Sequence, residues 1–202
     1  MKKTIVLLAG YPATGKSYLC NQILAKYPEF TVVSQDELKE QLFDQYGFHN
    51  MEEKVKIEYK SWDLYYETME QCLKEEISVI SDYPFSDKQK GRLEKLSKDY
   101  GYQVVTMRLI GDLEVLYQRS KSRDLDPDRH LSHLVSHYQK GDVLEDRSKA
   151  DCLVTYDIFM DRCKNRGYGT FQLGHLIEID VTDFKTIDYP AIVGELGRLL
   201  AE

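Results

Sequence analysis

Apolar positions along the chain alternate between short unbroken runs and longer stretches where they recur every three or four residues. The run at 3–9 is rich in leucine and β-branched side chains and predicts a central strand buried on both faces. Helical spacing follows at 16–26, through Leu19, Ile23 and Leu24. Thr31-Val32-Val33 predicts a second, short strand, and 36–42 a helix whose acidic start suits the positive end of its dipole. Between 51 and 75, Val55, Tyr59, Trp62, Tyr66, Met69 and Leu73 recur at threes and fours and predict one long amphipathic helix. Strands at 77–81, 102–110 and 176–181 and helices at 86–99, 112–123 and about 190–201 complete the pattern. Strands alternating with helices imply an α/β domain, a parallel sheet covered on both faces. The polar stretch 126–174 breaks the rhythm; it reads as a lid or insertion with a helix at 129–139 inside a single domain spanning 1–202.

Composition narrows the classes. The length suits one core, since single cores run to about 250 residues. A net charge of −7 argues against a protein whose main partner is a nucleic-acid backbone. Cys20, Cys72, Cys152 and Cys163 show no paired spacing, which fits a reducing cytoplasmic setting better than a disulfide or zinc scaffold. The apolar run after Lys2-Lys3 stops at Gly10-Tyr11-Pro12, too short for a signal peptide, and no stretch reaches the ~20 apolar residues of a membrane helix.

The first strand runs directly into Gly10-Tyr11-Pro12-Ala13-Thr14-Gly15-Lys16-Ser17, which fits G-x-x-x-x-G-K-[ST] at every fixed position, with a helix following. Glycines at 10 and 15 permit a tight path along which consecutive N–H groups point at phosphate oxygens, and the helix start adds partial positive charge. Gly10, Ala13, Thr14, Gly15, Lys16, Ser17 and Tyr18 are therefore the expected nucleotide cradle. Lys16 is expected to reach the β- and γ-phosphates and Ser17 to ligate Mg²⁺.

The loop alone does not separate kinases from other nucleotide-binding proteins. The chain lacks the Asn-Lys-x-Asp that reads guanine and has no room for a helical sensor domain. Four features in order resemble the P-loop small-molecule and polynucleotide kinases, a group that includes gluconate and shikimate kinases, chloramphenicol phosphotransferase, zeta toxins and 5′-polynucleotide kinases. They are the Gly-x-Pro-x-x-Gly-Lys-Ser loop, Asp36 after the second strand, Asp82 ending the third, and Arg119 with Arg123 on the helix after the fourth. The resemblance covers 1–125 and the last strand and helix, and leaves 126–174 unmatched. It implies strand order 2-3-1-4-5, ATP and Mg²⁺, and a hydroxyl-bearing small molecule as acceptor.

In that reading Asp36 orients the acceptor hydroxyl and takes its proton, as a carboxylate at a strand end beside the loop is placed to do. Its alternative is a plain helix cap. Asp82 holds the metal, or is a turn acid before Pro84. Arg119 and Arg123, four apart on one helix face, cover the transferred phosphoryl group, with Arg129 a third candidate, or are solvated. Gln35 and Glu37 flank Asp36 where polynucleotide kinases often carry arginine, which disfavours a nucleic-acid acceptor. On a helix, His130, His133 and His137 share one face and offer a metal site, a lid contact or a solvated surface. Phe43, Tyr46, Phe48, Trp62, Tyr65 and Tyr66 offer either an acceptor pocket or core. A 5′-polynucleotide kinase and a nucleotide-dependent switch remain as rivals.

Overall fold

The computed structural model describes residues 2–201. Thr4–Gly10 form β1, and all seven residues are buried. Side chains alternate across a strand, so Val6 and Leu8 pack into one apolar layer while Ile5, Leu7 and Ala9 pack into the other. Fully burying each such aliphatic side chain contributes about 1.5–3 kcal/mol, and that two-sided burial makes β1 the centre of the sheet. After it come α1 (Lys16–Lys26), β2 (Thr31–Val32), α2 (Gln35–Tyr46), α3 (Met51–Lys74), β3 (Val79–Asp82), α4 (Asp87–Tyr100) and β4 (Gln103–Ile110). The chain continues through α5 (Leu113–Asp124), α6 (Tyr156–Asn165), β5 (His175–Asp180) and α7 (Tyr189–Ala201).

All five strands are parallel, in the order β2-β3-β1-β4-β5. This is the P-loop NTPase arrangement, with the order that the kinase resemblance implied. On one face, Leu19 and Ile23 of α1, Leu116 of α5, Phe159 of α6 and Val193, Leu196 and Leu200 of α7 share a core with Ile80, Val105, Met107 and Ile177 of the sheet. On the other, Tyr65, Met69 and Leu73 of α3 and Leu93 of α4 pack on Val79 and Val104.

The stretch 126–174 differs from its expected form. The helix at 129–139 is absent; only a single 3₁₀ turn, Leu131–His133, forms. Histidine, serine and valine are indifferent helix formers, and the backbone here finds partners elsewhere. Tyr138 and Phe48 exchange both N–H···O bonds at 2.8 Å, Cys152 N–H donates to Leu134 O at 2.8 Å, and the Lys54 ammonium reaches Val135 O at 2.9 Å. Leu131 and Tyr138 also join Phe43, Phe48 and Ile57 in a third apolar cluster. The segment is thus fastened onto α2 and α3. The regular helix of the stretch lies later, at α6, where the Thr155 hydroxyl accepts from Ile158 N–H at 3.4 Å and Phe159 and Cys163, four apart, are buried.

Candidate active site

The turn after β1 lies at the strand ends, where ligands of open α/β sheets gather. Gly10 has φ 107°, and a Cβ there would sit 1.9 Å from Leu109 O, so no side chain fits. Gly15 closes the turn at φ 82° as the N-cap of α1. Ala13, between them, is held at φ 60°, a left-handed conformation that costs a non-glycine residue about 1–3 kcal/mol. Thr14 Oγ1 donates to Tyr11 O at 2.8 Å, and the Lys16 ammonium folds over the loop to the same oxygen at 2.6 Å and to Thr14 Oγ1 at 3.2 Å. Burial lowers the Lys16 pKa to about 8, with Arg123 adding to the shift and Asp82 and Asp36 opposing it. Tyr18, in the first turn of α1, packs its ring edge-on against Tyr189 at 5.0 Å.

β3 delivers Asp82 beside this turn, in register with Leu8. Ser17 Oγ donates to Asp82 Oδ2 at 3.2 Å, while Asp82 Oδ1 is buried with no partner. This paired hydroxyl and carboxylate form an oxygen donor set suited to a hard cation such as Mg²⁺.

Asp36 stands on the other side of the crevice. The N-cap of α2 is Ser34, whose Oγ accepts from Glu37 N–H at 3.5 Å, so Asp36 lies within the first turn and is not the cap. Its carboxylate accepts from Lys39 Nζ at 2.6 Å. Burial pushes the Asp36 carboxyl up, but the charges of Lys39 and Arg129 and the Lys39 hydrogen bond, joined by His133 where its ring is protonated, outweigh it and hold the group below the usual carboxylate range.

The two helix arginines diverge. Arg119 donates to Val181 O at 2.6 Å and Thr182 O at 2.8 Å, and its guanidinium lies 3.7 Å from the centre of the Phe184 ring. Phe184 in turn flanks Gly15. Arg123 donates from Nη2 to its neighbour Asp124 at 3.3 Å, and its charge lowers the pKa values of Lys16 and Arg129. Arg129 belongs to the same group, through its effect on Asp36.

The three histidines do not converge. His130 pairs with Asp44 at 3.2 Å, His133 with Glu40 at 2.6 Å, and His137 lies 5.3 Å from the His49 ring. Without a helix they share no face, and no metal-binding group of three or more His, Cys, Asp or Glu occurs among the described residues. His133 instead stands beside Asp36; burial lowers its pKa and favours the neutral ring. Lys39 and Glu40 were not singled out from the sequence, although the Asp36–Lys39 spacing of three on a helix carried a signal for the former.

Among the described residues, the buried side-chain atoms without a hydrogen-bond partner are Gln35 Oε1, Asp82 Oδ1, Arg123 Nε and Arg129 Nε. Buried polar atoms are almost always paired. Three of the exceptions belong to residues grouped around Lys16 and Asp36: Asp82 beside the turn, Arg123, whose charge acts on Lys16, and Arg129, whose charge acts on Asp36; Gln35 is instead buried against Ser61 of α3.

Beside the crevice opens a cleft of about 990 Å³ between α3, the β3–α4 connection and the end of α6. The apolar stripe of α3 runs from this cleft into the core: Tyr59 is exposed, Trp62 and Tyr66 line the cleft, and Met69 and Leu73 are buried. The aromatic set therefore divides. Phe43, Phe48 and Tyr65 are core, Tyr46 is exposed, and Trp62 and Tyr66 face the cleft together with Tyr83.

A family model described as an AAA domain matches residues 5–140, from β1 through the turn to the segment over α2. The chain belongs to this AAA-domain family. The match stops short of α6, so one wall of the cleft lies outside it. Among solved structures, a candidate kinase from Chloroflexus aurantiacus is similar at 23% identity and TM-score 0.76, covering 98% of each chain. A tunicamycin resistance protein from Deinococcus radiodurans shares 16% identity at TM-score 0.54, over 99% of this chain and 96% of that one. A sugar kinase from Janibacter sp. shares 13% identity at TM-score 0.51, over 100% and 95%. At these identities the likeness is one of fold. No curated protein matches. No helix among the described residues is long and apolar enough to cross a membrane.

Proposed function

We propose that the chain is a phosphotransferase that moves the γ-phosphoryl group of ATP onto a hydroxyl of a small molecule. The observation that carries this reading is the convergence of unpaired buried atoms on one crevice: Asp82 Oδ1 beside Ser17, and Arg123 Nε and Arg129 Nε around Lys16 and Asp36. A polyphosphate and a hard cation supply the partners these groups lack. The candidate kinase and the sugar kinase of the same fold accord with it.

In this mechanism the backbone amides of 10–17 and the start of α1 bind the phosphates, and Lys16 releases Tyr11 O to reach them. Ser17 and Asp82 would hold Mg²⁺, which when bound neutralises charge on phosphate oxygens. Asp36 orients the acceptor hydroxyl in line with the γ-phosphorus. The acceptor oxygen bonds to phosphorus, the bond to the β-phosphate oxygen breaks, ADP leaves, and the acceptor proton passes to Asp36 and on to solvent. Lys39 and Arg129 keep Asp36 ionised, which makes it a weak base. A weak base suffices where the transition state is loose and the proton moves late. Cover of the transferred group falls to Arg123 and Arg129. Arg119, bound to the loop at 181–182, fixes that loop beside Gly15.

The cleft speaks against a polynucleotide acceptor. Its rings are interspersed with Glu58, Asp63 and Asp87 as well as Lys88, Lys164 and Arg166, whereas single-strand binders present a continuous basic groove. All four cysteines are unpaired, in keeping with a reducing cytoplasmic setting.

Transfer of label from γ-labelled ATP into pooled nucleosides, sugars, antibiotics and short oligonucleotides tests the reading. A labelled small product supports it. ATP binding with slow hydrolysis, no labelled product and nucleotide-dependent protein association would replace it with a switch.

A further inference from the structure

The cleft is large, and its chemistry is specific. Its volume of about 990 Å³ is at the upper end of the ~300–1,000 Å³ that holds drug-sized ligands, far more room than a small open-chain acid needs. Its rings form a continuous patch: Trp62 stands edge-on to Tyr83 at 4.9 Å and lies 5.8 Å from Tyr66. Around that patch, Glu58 and Asp87 on one side and Asn165 and Arg166 on the other carry planar polar groups. Among the described residues, Glu58 and Asp87 form no salt bridge, the Arg166 guanidinium bonds only the Tyr168 hydroxyl, at 3.4 Å, and the Asn165 amide N–H donates to Asp161 Oδ1 at 2.7 Å. Planar amide, carboxylate and guanidinium groups beside aromatic faces suit neighbouring hydroxyls on a ring: the flat side stacks and the edge hydrogen-bonds.

The cleft also adjoins the site of transfer. Asp82, beside Ser17, is followed directly by Tyr83 in the cleft. On the other side, Gln35 donates to Ser61 Oγ at 2.9 Å, tying the residue before Asp36 to the residue before Trp62. The Asp36 charge acts on the Tyr83 hydroxyl, as do Glu58 and Arg166.

We infer that this cleft is the acceptor site and that its ligand is a multi-ring hydroxylated compound, a glycoside or nucleoside-like molecule, that stacks on Trp62 and Tyr83 and extends one hydroxyl to Asp36. The inference rests on the phosphotransferase reading and adds the acceptor class. Mixed charge in the cleft disfavours a polyanion, and the ring patch disfavours an open-chain polyol. Residues 164–168, which form one wall of the cleft, lie beyond the family match.

Trp62 is the single tryptophan, so its emission reports on the cleft independently of catalysis. Phenyl β-glucoside and uridine are titrated with emission as the readout, with gluconate and glycerol as open-chain controls. ATP binding is measured separately by calorimetry. The expected result is a saturable emission change with at least one ring compound and none with the controls. Glu58→Ala at a half-buried position and Arg166→Ala at an exposed one each weaken that binding about fivefold, the loss of roughly one hydrogen bond, while ATP binding is unchanged. A flat response to both ring compounds, an equal response to gluconate, or unaltered affinity in both variants overturns the inference. In those cases intact ATP binding leaves the phosphotransferase reading standing, whereas absent ATP binding defeats that reading by itself.

Discussion

Around Lys16 the site is built mainly from one stretch of chain, Gly10 to Ser17, with Asp82 and Arg123 contributed from distant segments. Around Asp36 the polar groups come from separate stretches: Lys39 from α2, and Arg129 and His133 from the segment fastened over it. The first wall rests on backbone geometry, with positive φ at Gly10, Ala13 and Gly15. The second rests on side chains held in place by tertiary packing, through the Phe48–Tyr138 bridge and the cluster of Phe43, Phe48, Ile57, Leu131 and Tyr138. In the proposed phosphotransferase the first wall meets phosphate and the second the acceptor: a phosphate is the same in every nucleotide, so a backbone cradle would serve it. An acceptor differs from protein to protein, and a wall made of side chains can be altered without disturbing the cradle.

Substitutions on the two walls should separate binding from transfer. Lys16→Ala removes the ammonium from the cradle and lowers transfer by about 10³-fold, the scale of losing a principal electrostatic contact. Circular dichroism should show the fold retained, and full activity would remove the turn from the mechanism. Asp36→Asn leaves ATP binding in place and lowers acceptor phosphorylation by about 10²-fold, the lower end of the range for a proton acceptor, because Asp36 is already a weak base. Unchanged turnover would leave Asp36 without a role, since Ser34 caps the helix.

The Lys16 shift also predicts a pH dependence on the cradle side. In the free protein the ammonium loses its proton as pH rises through about 8. Phosphate contact holds that proton, so ATP binding above this pH must take one up. The ATP dissociation constant should therefore rise by about tenfold per pH unit above pH 8 until the bound-state pKa is reached. A flat profile between pH 7 and 9.5 would contradict it. The smallest effect concerns the acceptor wall. Tyr138 donates to Asp44 at 2.5 Å, and Tyr138→Phe should cost about 1 kcal/mol, with faster amide exchange at residues 131–138 and none at β1. Uniform loss of protection across the chain would mean that the segment is not an independent fastening.

The same contrast decides what could be read from sequence. β1, the glycine turn and the parallel sheet were legible because each is marked locally: an unbroken apolar run, fixed glycines, and alternation of strand and helix; the strand order came only with the kinase resemblance. Asp82 was legible as the last residue of an apolar strand. The acceptor wall was not. The histidine spacing at 130–137 suggests a helix, but the Phe48–Tyr138 pairing, a contact between residues ninety apart, overrides that local preference. α6 went unread because its apolar signal is short, although Thr155 followed by Asp157 is a usable start signal. The α3 stripe illustrates a further limit: periodicity marks Trp62 and Met69 alike, and only the folded chain shows that one lines a cleft and the other a core.

The fate of the γ-phosphate in a single turnover tests the central claim most directly. With ring-bearing hydroxyl compounds and Mg²⁺ present, the account predicts that it appears as a phosphate ester of the acceptor, and that Asp36→Asn delays its appearance without releasing bound ATP. Label found only as inorganic phosphate, at the same rate in wild type and Asp36→Asn, would contradict it.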